Sequence, residues 1–127
     1  MSGVDAGASE QLREDDLAAK VLAARQALGL TQEALCERLN QRGLGWAQQT
    51  LWKVENCRRS IKATELYVLA DSLGVDVRDF ASPSDDFRRA TLLARMRAAE
   101  AALEAATLEC QQVAAELDAG GWGGWKP

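Results

Sequence analysis

Between Phe87 and Asp118 no residue interrupts a helix, and small and apolar residues there keep a strict rhythm. Leu92, Met96, Ala99, Leu103, Ala106, Cys110, Val113 and Leu117 are spaced 4, 3, 4, 3, 4, 3, 4. That period predicts a helix over 87–118 carrying a heptad seam, the pattern of a coiled coil. The bland alternative is an amphipathic helix lying on its own domain. Large and small side chains alternate along the seam, which favours pairing with a second copy or with another protein. With Met96, Leu103, Cys110 and Leu117 at a and Leu92, Ala99, Ala106 and Val113 at d, a parallel homodimer is expected. It would set Arg95 at g against Glu100 at e of the other copy. The two alanines at d weaken that seam, so antiparallel and four-helix arrangements stay open.

The rest of the chain is also helical in pattern. From about Arg13, Leu17, Val21, Ala24, Arg25 and Leu28 recur at three- and four-residue intervals, and Gly29 ends that helix. Thr31 is a good N-cap for a second helix, with Leu35, Cys36 and Leu39 inward. "RGLGW" breaks it. A third helix covers about 47–56, a fourth Thr64 to Leu73, and a short fifth follows Asp76 to Phe80. "SPSDD" (82–86) combines a linker with a helix start, since Ser84 can cap and two aspartates suit a helix N-terminus. The division expected is a disordered 1–10, a domain over 11–81, a linker over 82–86, the seam helix and a flexible Gly/Trp tail over 119–127. With 47% hydrophobic residues, much of it alanine, and two prolines, the fold class is all-α.

Composition removes several kinds of chemistry. No histidine is present, so a Ser-His or Cys-His hydrolase is excluded. Cys36, Cys57 and Cys110 are three in number and widely spaced, which argues against a disulfide framework and against a zinc site. The expectation is a non-enzyme with no cofactor and no metal. The chain shows neither an apolar signal core nor a run approaching the roughly 18–20 apolar residues that span a bilayer, so a soluble, cytoplasmic protein with no membrane partner is expected.

The net charge of −4 conceals one basic segment. Residues 31–62 hold Arg38, Arg42, Lys53, Arg58, Arg59 and Lys62 against only Glu33, Glu37 and Glu55. Every other part of the chain is acidic, so this segment can present a local anion-binding face. Helices two and three with a Gly-containing turn are the parts of a helix-turn-helix. On the third, Ala47, Leu51 and Val54 share one face, which must be buried. Gln48, Gln49, Trp52, Lys53 and Asn56 then face outward. A glutamine amide matches adenine N6 and N7 in the major groove, and lysine donates to guanine O6 or N7. Both glutamines lie in the first turn, the end that enters the groove. The helix is therefore expected to read bases, flanked by phosphate-binding cations. Trp52 suits a thymine methyl or sugar, or packing on Trp46. Cys36, Tyr67 and Phe80 are expected in the core.

The stretch "RQALGLTQEALCERL…AQQTLWKVENCRRSIKATELYVLADSLGVDVRDF" resembles the lambda-repressor-like (Cro/CI, XRE) DNA-binding family, over about residues 17–80. "GLTQEAL", "QQ…EN" and "LADSLGV" carry the likeness. The resemblance implies a five-helix domain that binds double-stranded DNA as a homodimeric repressor. By the same likeness, Gln32 touches phosphate and braces the first recognition glutamine, while Gln48, Gln49 and Lys53 read bases. It also implies a buried ion pair between Arg25 and Glu55. Arg42, Arg58, Arg59 and Lys62 join Gln32 as expected phosphate binders. The sequence departs from the family in the long turn "NQRGLGW", and in Cys57, which stands where glycine is usual. The second reading is an antitoxin-like or adaptor protein, gripping a protein partner through the C-terminal helix and the tail residues Trp122 and Trp125.

Overall fold

The structure, a computed structural model, describes residues 13–125. They form five α-helices: α1 (Glu14–Ala27), α2 (Gln32–Gln41), α3 (Gln48–Glu55), α4 (Ala63–Leu73) and α5 (Ser84–Ala119). Two short 3-10 turns, Val77–Ala81 and Gly123–Trp125, complete the path, with no strand among the described residues. The expectation for 1–10 and the end of the tail, Lys126 and Pro127, lie outside the described residues. Two compact units divide the chain between Arg95 and Met96. No helix among the described residues is long and apolar enough to cross a membrane.

The first unit is built on the expected apolar stripes. Val21, Leu35, Leu39, Leu51, Val54, Leu69, Leu73 and Phe80 are fully enclosed. Cys36 is buried among them, and burial pushes its thiol pKa up, with the Glu55 charge adding to the rise. Thr31 caps α2 as its type requires, its hydroxyl accepting from the Ala34 N–H at 3.0 Å. Tyr67 corrects the reading: it is 64% exposed, on the outer face of α4. Ala47 is also exposed, because α3 starts one residue later and Ala47 serves as its N-cap.

The boundary at 82–86 also changes. Helix α5 begins inside that segment, at Ser84, and its first turns belong to the core. Phe87 is 2% exposed and its ring lies 5.1 Å from that of Phe80; Thr91 and Ala94, on the same face, are buried as well. Lys20 fastens the junction. Its ammonium donates to the carbonyls of Phe80 (2.9 Å) and Ser82 (2.6 Å) and stands 5.6 Å from the Phe87 ring centre. Burial lowers its pKa, partly offset by Asp16. Only Ser82 and Pro83 separate the Val77–Ala81 turn from α5.

All five helices stop in the same way. In each, a residue just past the last turn adopts positive φ (in α4 the C-cap Gly74 itself), and two backbone N–H groups fold back onto the last turn, the Schellman arrangement. For α1 the N–H of Leu30 donates to Arg25 O and that of Gly29 to Gln26 O, both at 3.0 Å. For α5 the N–H of Trp122 donates to Leu117 O (3.0 Å) and that of Gly121 to Asp118 O (3.2 Å), so the first residues of the tail form the cap of α5. Gly29, Gly43, Gly74 and Gly121 hold the left-handed position in four helices. Cys57, at φ 58°, holds it in α3. An L side chain there costs about 1–2 kcal/mol, reduced by the greater unfolded-state freedom of glycine. Cys57→Gly is therefore expected to stabilise the domain by about 0.5–1 kcal/mol. The check is a higher urea midpoint at unchanged slope; a lower midpoint would mean that the thiol makes a compensating contact.

In the second unit, from Met96 onward, large apolar side chains of α5 stay in water: Met96 is 53% exposed, Leu103 70% and Val113 48%. Trp122 is 65% exposed, its ring folded over Gly120.

Candidate nucleic-acid interface

The site is assembled by α2, α3 and the turn between them. Leu51 and Val54 bury one side of α3, which forces Gln48, Gln49, Trp52, Lys53 and Asn56 to the other. All five are exposed. Gln32, at the start of α2, joins Gln48, Gln49 and Trp52 in lining one shallow hollow. Trp52 is 44% exposed, with its backbone carbonyl accepting from the Asn56 side-chain amide at 2.8 Å. Trp46, the packing partner weighed for Trp52, is instead enclosed in the core at 5% exposure.

An ion pair holds the aim of α3. Glu55 accepts from Arg25 Nε at 2.7 Å and Nη2 at 3.1 Å, with the Glu55 side chain only 2% exposed. The same carboxylate accepts from the Gln32 amide at 3.0 Å, and Arg25 also donates to Leu30 O at 2.8 Å. Because the carboxylate only accepts, Gln32 must turn its NH2 inward, which leaves its carbonyl oxygen for the hollow.

The basic residues fall into two groups. Lys53, Arg58 and Lys62 are exposed. Arg42 and Arg59, expected to meet phosphate, are committed to carboxylates. Arg42 pairs with Asp71 of α4 and donates to Arg38 O at 3.1 Å. Arg59 makes two bonds to Glu65, at 3.0 and 2.9 Å, and stacks 5.0 Å from the centre of the Trp46 ring. Glu65 also accepts from the Trp46 indole N–H (3.2 Å) and the Lys62 backbone N–H (2.9 Å). The Arg59 hydrogen bonds, helped by these other donors, hold the Glu65 carboxyl down at about 2, against the opposing effect of burial.

Sequence reasoning missed this trio of Trp46, Arg59 and Glu65. The available signals were an apolar aromatic inside a glycine-rich turn and an acid three residues after a helix start. The trio explains why the long turn is not loose. Leu44 and Trp46 both pack against the core, and Trp46 is tied to α4 through Glu65.

A family model described as helix-turn-helix, of the lambda-repressor-like kind, matches residues 21–80. These residues form a helix-turn-helix domain. The helix-turn-helix match reaches from the middle of α1 to Phe80, so it takes in the hollow, the Arg25–Glu55 pair and the Trp46 trio. Neither a comparison with curated proteins nor one with solved structures returned a match. The helix-turn-helix assignment supports a DNA-binding regulator.

Proposed function

We propose that this chain is a cytoplasmic, homodimeric repressor that reads double-stranded DNA in the major groove through α3. The observation that carries the reading is the outer face of α3. Two adjacent glutamines project from its first turn with Lys53 one turn on, while the buried side is fixed by Glu55. Gln48, Gln49 and Lys53 contact base edges in this reading, with Trp52 against a thymine methyl or sugar. Gln32, Arg58 and Lys62 lie on phosphate. Arg42 and Arg59 brace the fold, and any phosphate contact they make is secondary to their carboxylates. Repression needs only that a bound dimer occupy its site.

Gln49→Ala is expected to weaken the preferred duplex by about 1–3 kcal/mol and relax preference at one base pair. Arg58→Ala should weaken all duplexes alike and lower the slope of log affinity against log salt by about 1. Anisotropy titrations on matched and substituted duplexes at several salt concentrations measure both. Equal losses on every duplex from Gln49→Ala would remove that residue from base reading.

The exposed apolar side chains of α5 and Trp122 favour a second reading, an adaptor or antitoxin-like protein that grips a protein partner. The two separate on whether the isolated chain forms a homodimer and shifts DNA unaided.

A further inference from the structure

We propose that two copies pair through α5 in antiparallel orientation, with the first half of each helix against the second half of the other. This rests on the homodimer reading and adds its geometry. Two independent features of α5 point the same way: its charge and the sizes of its seam residues.

Charge is segregated along the helix. Residues 88–97 carry Arg88, Arg89, Arg95 and Arg97 and no acid. Residues 100–118 carry Glu100, Glu104, Glu109, Glu116 and Asp118 and no base. A parallel pair stacks the basic segment on its basic copy and the acidic segment on its acidic copy, with the Arg95–Glu100 contact only at the junction between them. An antiparallel pair sets each basic segment against an acidic one and opposes the helix dipoles. In antiparallel coils g positions flank g positions. Arg95 therefore falls between Glu109 and Glu116 of the second copy, twice by symmetry.

Seam sizes agree. In a parallel in-register pair each layer repeats one residue, so Ala99 and Ala106 each meet themselves and leave thin layers. Antiparallel pairing sets each a position opposite a d position. One register matches the whole seam without overhang: Leu103 meets Ala106, Met96 meets Val113, and Leu92 meets Leu117. Ala99 meets Cys110. No layer is then alanine on alanine, and each Leu103 finds a small partner at the middle of the seam. The exposure of Met96, Leu103 and Val113 leaves this face available. The start of α5 uses the opposite face for its own core, since Phe87, Thr91 and Ala94 are buried while Leu92 is 47% exposed.

The orientation decides which thiols meet. Antiparallel pairing separates the two Cys110 residues by about 16 Å along the axis, from a rise of about 1.5 Å per residue. A parallel pair brings them within disulfide reach. Three full-length variants, all with Cys57→Ser, are oxidised mildly and weighed by sedimentation at micromolar concentration. The first keeps Cys110, the second adds Ala99→Cys, and the third carries Ala99→Cys with Cys110→Ser. All three should sediment as dimers, and only the second should give a covalent dimer, because only it holds thiols at both 99 and 110. Covalent dimers from the first and third would establish parallel pairing and overturn the orientation while leaving the homodimer intact. A dimer that no variant crosslinks would overturn this seam, and a monomer would overturn the homodimer reading itself.

Discussion

Glu55→Ala is expected to cost about 3–5 kcal/mol of folding stability, a large part of the roughly 5–15 kcal/mol available to a domain of this size. Three donors converge on that carboxylate: two from Arg25 and one from Gln32. Removing it strands a guanidinium whose side chain is 13% exposed, with Leu30 O as its remaining acceptor among the described residues. The cost is that of an uncompensated buried cation rather than of one lost attraction. Arg25 lies in α1, Gln32 in α2 and Glu55 at the end of α3, so the same change releases the aim of the recognition helix. DNA affinity should fall in step with the folded fraction, and ligand-free urea melts measure the stability term alone. A Glu55→Ala variant with the parental midpoint would show that the pair holds nothing together.

The second large effect is an acid-labile contribution from Glu65. Its folded pKa of about 2 lies below the ordinary 4.5, chiefly because Arg59 donates to the ionised form. A carboxyl with a depressed folded pKa stabilises the fold fully above its unfolded value. That stability is lost as pH falls from about 4.5 toward about 2. The side chain is only 10% exposed, so screening is weak, and the linked stability is on the order of 2–3 kcal/mol. Midpoints measured between pH 6 and pH 2.5 should fall steeply in the parent. In Glu65→Gln the fall over that window should be shallower, because the neutral amide has no proton to take up. Glu65→Ala should also leave the Trp46 indole and Arg59 without their acceptor at neutral pH, at a cost of about 2–3 kcal/mol. Parallel pH profiles for parent and Glu65→Gln would show that the trio contributes no pH-linked stability.

The five helices were legible because their signals are local. Apolar spacing, Thr31 before α2 and a glycine after four of the five helices lie within a few residues of what they specify. The outward face of α3 followed once Leu51 and Val54 were buried. The domain boundary was less legible. Pro83 and Ser84 do mark a chain turn and a helix start, but a sequence pattern cannot show that Phe87 packs on Phe80 or that Lys20 ties the Phe80 and Ser82 carbonyls to the Phe87 ring. Tyr67 was placed inside on residue type alone, although the face of α4 is settled by Leu69, Ala70 and Leu73. The basic segment is a coarse guide for a related reason. Net charge counts Arg42 and Arg59 as available cations, whereas Asp71 and Glu65, distant or acidic-segment residues, engage them in the fold. Cys57 was recognised as standing at a glycine position, and the backbone does adopt the left-handed conformation there.

The central claim, that the outer face of α3 reads base pairs, is tested most directly by selecting bound sites from random duplex DNA. The purified parent chain and a Gln48→Ala, Gln49→Ala double variant are carried through the same rounds. The parent should enrich a defined motif, and the variant should lose preference at one or two base pairs of it while keeping its affinity for unselected DNA. Enrichment of the same motif by both proteins, or of none by the parent, would contradict the claim.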